Sequence, residues 1–351
     1  MAIQTYTLNA GRINKFKGEI LAHAQHVEVL GITGQNRKMP KMNGDTVVYR
    51  RWLPYGATSS TAATQNRPAA TAASHILDEG STPTADSLTP VDVSVTLQQY
   101  GCLYGVTDKT VDQYEDDIPQ EMKRQVGERM GLVREMIRYG AMKACTNVFY
   151  AGGTTRATVA AKITIPFIRK ITRNLLSNHA KMITQILSPS ANFNTAPIEA
   201  SYLVFCHTDC ENDIRELPGF VSVAEYGQRK PVHEMELGSA DRFRFIVSPE
   251  LAAYADAATS GDAVGSGFLS TTGTYADVYP IIVVAEDAWG DVALRGVDSV
   301  DPTWIPPGEK DKNDPLGQRG YVGAKFYSAA KVLNDGWMAI GEVAVDSLAG
   351  A

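Results

Sequence analysis

One short segment carries the residue types that bind transition metals: Cys206-His207-Thr208-Asp209-Cys210. A structural zinc site needs four ligands in tetrahedral geometry, usually supplied as two separated pairs. The other two cysteines, Cys102 and Cys145, are isolated in the sequence, so a second pair is missing. We therefore interpret this segment as a small buried thiol beside Asp209, whose carboxylate is predicted to cap the following helix. A metal-dependent enzyme centred on this segment is kept as an alternative.

A second candidate is Ser328-Ala329-Ala330-Lys331, which has the S-x-x-K spacing of some acyl-enzyme nucleophiles. The companion sequences S-D-N and K-T-G do not occur in the chain. A spacing of three within a predicted strand also places the serine and the lysine on opposite faces. P-loop, G-x-S-x-G, H-E-x-x-H and dinucleotide-binding motifs are absent as well. We therefore predict no catalytic, cofactor or metal site, and a protein that is not an enzyme.

The composition limits the remaining function classes. The chain has 351 residues, 44% of them hydrophobic, which is enough to form a core. Its 39 acids outnumber its 33 bases, so a whole-protein electrostatic grip on DNA is not expected. The longest strongly apolar stretch, residues 281–285, is far shorter than the roughly 20 residues of a membrane helix. Without a signal peptide, and with sparse cysteines, a reducing cytoplasm is expected.

The N-terminal residues 1–33 show no sustained hydrophobic period. A weakly amphipathic stretch over residues 20–27 predicts one short helix. Because this segment offers little core of its own, we interpret it as an arm that rests on another part of the structure.

Two segments with a strand pattern enclose a stretch of very low hydrophobicity. Residues 45–53 are β-branched and aromatic, and residues 91–97 alternate apolar with polar side chains, so both predict strands. Between them, the large aliphatic side chains of residues 56–89 are Ile76, Leu77 and Leu88 alone. Such a stretch cannot offset an ordering cost of about 1–2 kcal/mol per residue. It is either a mobile surface loop or a hairpin arm that is ordered against a neighbouring molecule.

A long helix is predicted from about residue 118 to residue 150. Asp117 and Pro119 provide a capping carboxylate and an early proline at its start. Apolar residues then recur at steps of three or four, over a length of roughly 50 Å. The helix carries six bases and three acids. Its charged face is therefore exposed to solvent, in contact with a partner subunit, or in contact with nucleic acid.

The rest of the chain alternates helix and strand patterns, which predicts an α+β fold with a mixed sheet. The expected helices cover residues 166–186 and 209–217, the strands residues 202–205, 242–247 and 279–284, and the loops residues 255–275 and 301–318. Residues 320–332 and 337–345 flank Asn334-Asp335-Gly336, a sequence typical of a hairpin turn, so we predict a closing hairpin.

The order of these parts resembles the major capsid protein of tailed bacteriophages, and locally the coat-protein family of podovirus-like phages. The resemblance covers nearly the whole chain. The residues that carry it are Gly44-Asp45-Thr46-Val47 through Pro54, Leu88-Thr89-Pro90, Tyr104-Gly105-Val106-Thr107-Asp108, Arg129-Met130 through Tyr139-Gly140, and Tyr202-Leu203-Val204-Phe205 leading into Asp213-Ile214-Arg215.

The resemblance implies the tailed-phage capsid fold, of class α+β. Its expected parts are an N-terminal arm (1–33), an extended β-hairpin loop with its base strands (34–105), a peripheral domain with a spine helix at about 118–150 (106–164), an axial domain with a central mixed sheet (165–319), and a closing hairpin that returns to the peripheral domain (320–351).

The resemblance also implies a shell subunit found in the virion and assembled in the host cytoplasm. Copies form the hexamers and pentamers of an icosahedral head around double-stranded DNA, and the extended loop lies across a neighbour's spine helix. Scaffolding, portal and decoration proteins are further expected partners, DNA is contacted weakly and non-specifically, and no membrane is involved. Some relatives crosslink subunits through a lysine on the extended loop. Residues 56–89 contain no lysine, so this crosslink is not expected.

Two other interpretations stay open beside the metal-dependent enzyme. One is a non-viral compartment shell of the same fold that encloses protein cargo. The other is a nucleic-acid-binding protein that uses the basic side of the 118–150 helix.

Overall fold

The computed structural model describes residues 3–4, 28–57, 66–80, 82–83, 85–113, 117–183, 200–226, 231–259, 267–295, 303–310 and 314–348. Helices and strands are interleaved along these ranges, as the α+β prediction requires. The short helix predicted over residues 20–27 lies outside the described residues.

The elements have the following bounds. The strands are β1 (Ile3–Gln4), β2 (Gln35–Met39), β3 (Thr46–Trp52), β4 (Pro90–Thr96), β5 (Gln98–Thr107), β6 (Val148–Tyr150), β7 (Tyr202–Cys206), β8 (Val221–Ser222), β9 (Glu236–Ala240), β10 (Phe243–Val247), β11 (Tyr279–Val284), β12 (Trp289–Leu294), β13 (Thr303–Ile305), β14 (Arg319–Val332) and β15 (Met338–Val343). The α-helices are α1 (Asp108–Gln113), α2 (Ile118–Lys143), α3 (Ile165–Ser177) and α4 (Glu211–Arg215). Short 3₁₀ turns occupy Leu30–Ile32, Ala72–His75, Arg156–Thr158, Thr208–Cys210, Val223–Glu225 and Asp335–Trp337.

The strands form two large sheets and one separate pair. The six-stranded sheet has the order β1-β5-β14-β12-β2, with β13 added to β14, and the seven-stranded sheet has the order β6-β15-β11-β7-β10-β9-β8. The pair is β3 with β4.

The hairpin strands predicted on either side of the low-hydrophobicity stretch are confirmed. β3 and β4 contain seven residues each and pair in antiparallel register along their whole length. Tyr49 and Val95 are buried in a cluster with Met39 and Val292, which attaches the pair to the six-stranded sheet. Trp52, at the end of β3, is 55% exposed. The pair is therefore packed on the body through Tyr49 and Val95, whereas the Trp52 side chain is exposed.

The long helix starts as predicted but ends earlier. The Asp117 carboxylate accepts a hydrogen bond from the Gln120 backbone N–H at 3.1 Å, and Pro119 lies in the first turn. α2 has 26 residues, a length of about 39 Å. The predicted end at residue 150 is wrong, because Val148–Tyr150 form β6 and pair with β15. The hydrophobic periodicity could not indicate the end of the helix, because apolar residues continue at helical spacing into β6.

One face of α2 covers the six-stranded sheet. Met122, Val126 and Met130 pack against Val322 and Phe326 on β14. Full burial of such side chains contributes about 1.5–3 kcal/mol each, so this contact accounts for much of the helix's stability. Among the described residues, no helix is both long and apolar enough to cross a bilayer.

The seven-stranded sheet contains the predicted buried strands side by side, in the order β11-β7-β10. All side chains of these three strands are buried, which explains their continuous apolar patterns. Helix α3 packs on the sheet through Ile168 and Ile171. Its predicted extension to residue 186 is wrong: the chain turns at His179, where φ is +54°, and the Ala180 N–H closes the helix on the Leu175 carbonyl.

Two smaller predictions also need correction. The helix expected over residues 209–217 is divided into the Thr208–Cys210 turn and α4. The predicted loop over residues 301–318 contains β13, which pairs with β14.

The predicted closing hairpin is wrong, because β14 and β15 lie in different sheets. β14 pairs with β5 and β12 of the six-stranded sheet. β15 pairs with β11 and β6 of the seven-stranded sheet. The Asn334 side chain accepts a hydrogen bond from the Gly336 N–H at 3.1 Å and stabilises the Asp335–Trp337 turn between the strands. A sequence typical of hairpin turns thus carries the chain from one sheet to the other.

The approach of residue 34 to a buried tryptophan gives a first prediction. Gly34 has φ +99°, and a Cβ added there would lie 2.6 Å from Trp289 Cε2, whereas Gly44 has φ +81° and open space. We expect Gly34→Ala to lower the free energy of unfolding by about 2–5 kcal/mol, because backbone strain and overlap act together. Gly44→Ala should cost about 1–2 kcal/mol. Urea unfolding followed by tryptophan fluorescence measures both; equal losses would contradict the importance of the Trp289 contact.

Candidate assembly surface

The candidate metal-binding segment is built into the strand-to-helix junction after β7. The thiols of Cys206 and Cys210 are buried. His207 Nδ1 accepts a hydrogen bond from the Asp209 backbone N–H at 3.1 Å, so His207 caps the turn and the predicted capping role of Asp209 is wrong. The Asp209 carboxylate instead accepts a hydrogen bond from the Tyr279 hydroxyl at 2.7 Å. In the described ranges, no group of three or more His, Cys, Asp or Glu residues is placed to hold a metal ion.

The thiols give a second prediction. Burial raises the pKa of Cys145 to about 12, and burial also raises the pKa of Cys206 and Cys210. The thiolate is the form that reacts with Ellman's reagent. We therefore expect these three thiols to react at about pH 8 only after the chain is unfolded. Cys102, which is partly exposed, should react first. Thiol titration in native buffer and in guanidinium measures this. Rapid reaction of Cys206 or Cys210 in the folded chain, or stoichiometric zinc binding, would contradict it.

A buried carboxylate fixes residues 28–30 to α2. Glu135 is fully buried, and its Oε1 accepts hydrogen bonds from the backbone N–H groups of Val29 at 2.9 Å and Leu30 at 2.8 Å. Hydrogen bonds to a buried charged group are among the strongest in proteins. Glu135 therefore sets the point at which the N-terminal segment joins the body.

Arg138, one helical turn later, joins three parts of the chain. It donates to Asp291 Oδ2 on β12 at 2.9 and 3.0 Å and to Glu28 Oε2 at 3.0 Å, and it lies 3.6 Å from Glu135 Oε2. Burial opposes the charge, but the neighbouring carboxylates outweigh burial, so the pKa of Arg138 lies above its ordinary value. A Cβ on Gly31 would lie 2.7 Å from Nη1, so the guanidinium fits because residue 31 is glycine.

This anchor gives a third prediction. Glu135→Leu leaves two backbone N–H groups without their acceptor and removes a carboxylate from beside Arg138. We expect it to lower the free energy of unfolding by about 2–5 kcal/mol. The matched control is Glu128→Leu on the same helix, which removes a partly exposed pair with Arg124 at 3.2 Å and should cost less than about 1 kcal/mol. Urea unfolding measures both, and equal losses would contradict the anchoring role.

The stretch between β3 and β4, residues 53–89, is called the excursion below. Near residue 66 it contacts its own chain. The side chains of Asn66 and Asn334 exchange hydrogen bonds at 2.8 and 3.3 Å, and Arg51 donates a further one to Asn66 at 2.8 Å. Arg67 donates to Ser177 Oγ at 2.6 Å. The inner part of the excursion is thus attached to the turn between the two sheets.

The outer segment of the excursion, meaning its described residues 76–80 and 85–88, is exposed. Its large aliphatic side chains are exposed to 74% (Ile76), 71% (Leu77) and 77% (Leu88). Its carboxylates are exposed as well: Asp78, Glu79 and Asp86. Within the part of the chain that the structure describes, these three carboxylates have no ion pair. Ile76 and Leu77 are adjacent in the chain, and exposed apolar side chains that adjoin one another are typical of an interaction site.

Helix α2 presents a different surface to solvent. Its outward stripe, spaced at three and four residues, consists of Gln125, Arg129, Leu132, Met136 and Gly140. Arg129 is exposed, with its guanidinium 6.0 Å from the Tyr104 ring centre. Leu132 and Met136 are partly exposed, and a Cβ added at Gly140 would touch nothing within 4 Å. The stripe therefore combines one base with two apolar side chains.

Three of the six bases of α2 are buried or lie beside acids, which reduces the basic surface that a nucleic-acid interface on this helix would use. Arg138 is buried, and Arg134 lies 3.6 Å from Glu28. Arg124 pairs with Glu128 on its own helix. The Arg138 anchor could not be predicted from the sequence, because its partners lie 110 and 153 residues away.

No model of a known protein family matches the chain. The major capsid protein of Pseudomonas phage KPP21 is 21% identical over 264 residues, which cover 70% of this chain and 65% of that protein. The match thus spans slightly less than two thirds of the relative's own length.

Solved structures match over almost the whole chain. The capsid of Ralstonia phage GP4 covers 99% of this chain and 100% of its own, with a TM-score of 0.68 at 11% identity. The capsid asymmetric unit of cyanophage Pam1 covers 98% and 99%, with a TM-score of 0.61 at 14% identity. The chain therefore has the α+β fold of phage capsid proteins, and the predicted resemblance is confirmed.

Proposed function

We propose that this chain is the major capsid protein of a tailed bacteriophage. Copies would assemble into the hexamers and pentamers of an icosahedral head that encloses double-stranded DNA. The observation that carries the proposal is the agreement with phage capsid folds along essentially the full chain. The name of the sequence relative, a phage major capsid protein, supports the same role.

The parts of the chain are assigned within this proposal. Residues 1–33 serve as the arm, 34–105 as the extended loop, 106–164 as the peripheral domain and 165–319 as the axial domain. By sheet membership we divide residues 320–351 between the peripheral and axial domains at the Asp335–Trp337 turn, count β12 and β13 with the peripheral strands, and count β6 with the axial strands. The extended loop is proposed to lie across the spine helix α2 of a neighbouring copy.

The proposed role is structural rather than catalytic, and it requires no cofactor. The ligating groups of the Cys206–Cys210 segment are engaged in hydrogen bonds or buried within the fold. Residues 56–89 contain no lysine, so buried and polar contacts would hold the shell together instead of a loop crosslink.

The proposed partners are further copies of this chain, together with scaffolding, portal and decoration proteins. Packaged DNA would be contacted weakly, since the net charge of the subunit is −6. The proposed location is the virion, after assembly in the host cytoplasm.

Electron microscopy of the purified full chain, and of phage particles, tests the proposal. We expect this chain to be the chief protein of closed icosahedral shells tens of nanometres across. Its mass in mature particles, compared with 38.0 kDa, shows whether an end is removed. A stable compact monomer at high concentration, absent from particles, would contradict the proposal. Shells filled with protein and free of nucleic acid would favour a cargo compartment of the same fold.

A further inference from the structure

We infer that packaged DNA contacts one localised surface of the subunit, called the basic face below. It consists of the exposed side chains of Arg169, Lys170 and Arg173 on α3 and of Arg242 between β9 and β10. Its ligand is the phosphate backbone of duplex DNA, and this side of the seven-stranded sheet lies toward the interior of the shell. The inference rests on the proposed function and goes beyond it, because a net charge of −6 gives no indication of such a surface.

Helix α3 is basic on its outward side. Its 13 residues include three bases and no acid. Ile168 and Ile171 lie in the core cluster beneath the helix. Arg169, Lys170 and Arg173 are exposed, and spacings of three and four residues place them on one side of the helix. Their charges therefore add along a single strip of surface.

The turn between β9 and β10 brings a fourth base to this strip. Asp241 Oδ2 lies 3.8 Å from Arg169 Nε, so the turn lies beside α3, and Arg242 follows Asp241 directly. Burial raises the pKa of Tyr202, and the charge of Arg242 opposes that rise. Since Tyr202 belongs to the cluster beneath α3, Arg242 lies on the α3 side of the sheet. The Arg169–Asp241 pair is partly or fully exposed at both ends, so it neutralises the basic face only in part.

The chain leaves most of this charge uncompensated. Lys170, Arg173 and Arg242 have no ion pair with any residue that the structure describes. By contrast, Arg156 and Lys162 each lie 2.6 Å from a carboxylate oxygen. The positive charge of the basic face is therefore available to a ligand.

Duplex DNA is the ligand that this composition favours. DNA presents one negative charge per about 1.7 Å of its axis, so a strip of exposed cations meets phosphates in any register. Contacts to phosphate carry no sequence information, which suits a container for a whole genome. A protein partner would also need an apolar centre in the interface. Helix α3 offers one exposed large aliphatic side chain, Leu176, beside the bases.

The seven-stranded sheet separates the basic face from the C-terminal end of α2. Helix α3 packs on the face that carries Val204 and Val283. Met142 of α2 packs with Leu203 and Phe205, whose side chains point to the opposite face. Contact of DNA with the basic face therefore places α3 on the inner side of the shell and the C-terminal end of α2 on the outer side.

DNA binding by dissociated full-length subunits tests the ligand. The probe is a fluorescein-labelled duplex of roughly 20 base pairs and mixed sequence, and fluorescence anisotropy gives its affinity at several salt concentrations. Each neutralised phosphate contributes about −0.9 to the slope of log K against log salt, so four bases predict a slope of about −3 to −4. We expect Arg173→Gln with Arg242→Gln to reduce the size of this slope by about 2 and the affinity at low salt by about tenfold or more.

The matched control removes the same charge from another part of the surface. Arg129 on α2 and Lys325 on β14 are also exposed. Arg129→Gln with Lys325→Gln should change the affinity by less than about threefold. Urea unfolding checks that each variant still folds. Equal losses in the two double variants would mean that net charge rather than the basic face binds the duplex, and would overturn the inference, as would no measurable binding by the wild-type chain.

Acetylation of lysines in intact particles tests which side faces the DNA. Acetic anhydride transfers an acetyl group to the amine nitrogen and releases acetate, and mass spectrometry measures the rate at each lysine. We expect Lys170 to react about threefold or more slowly in DNA-filled particles than in particles emptied of DNA. Lys325, outside the basic face, should react at rates that agree within about twofold.

The outcomes separate this inference from the proposed function. If wild-type shells form and Lys170 reacts equally fast in filled and emptied particles, the basic face does not meet DNA, and the capsid role stands. If Lys170 is equally slow in both, another protein covers the basic face, and the inference is again overturned. If the wild-type chain forms no shells and is absent from particles, the proposed function itself fails, and the interior position of the basic face fails with it.

Discussion

The structure depends on one buried guanidinium. Arg138 bonds to Glu28 of the N-terminal segment and Asp291 of the six-stranded sheet, and it lies beside Glu135 on its own helix. A buried charge is tolerated when it is paired and hydrogen-bonded, and here the pairing partners come from distant parts of the chain. These contacts hold α2 against both the N-terminal segment at Glu28 and the six-stranded sheet, and they help to orient its outward stripe.

Much of the local structure could be predicted from the sequence. The Asp117 cap, the β3–β4 pair and the buried strands of the seven-stranded sheet follow from capping chemistry, strand alternation and apolar runs, which act over a few residues. Pairing between distant segments could not be predicted in this way. The strand at Val148–Tyr150 continues the helical spacing of α2, and the turn at Asn334 has the composition of a hairpin although its flanking strands have different partners.

The exposure of the excursion could be predicted from the sequence, but its attachment to the body could not. The scarcity of large apolar side chains in residues 56–89 already indicated a segment that its own chain does not bury, and the exposure of Ile76 and Leu77 agrees with this. The attachment at Asn66 was not predictable, because amide side chains occur throughout loops and its partner lies 268 residues away. Composition thus indicates that a segment is exposed, but not where it is tethered.

The turn at Asp335–Trp337 has a mechanical consequence. The covalent path from the six-stranded sheet to β15 runs through this turn, and the excursion is tied to the same place by Asn66 and Asn334. A force on the excursion is therefore transmitted to both sheets through the Asn66–Asn334 pair and the Asp335–Trp337 turn. In the proposed shell, a force that a neighbouring copy exerts on the excursion would be shared by two hydrogen-bonded sheets.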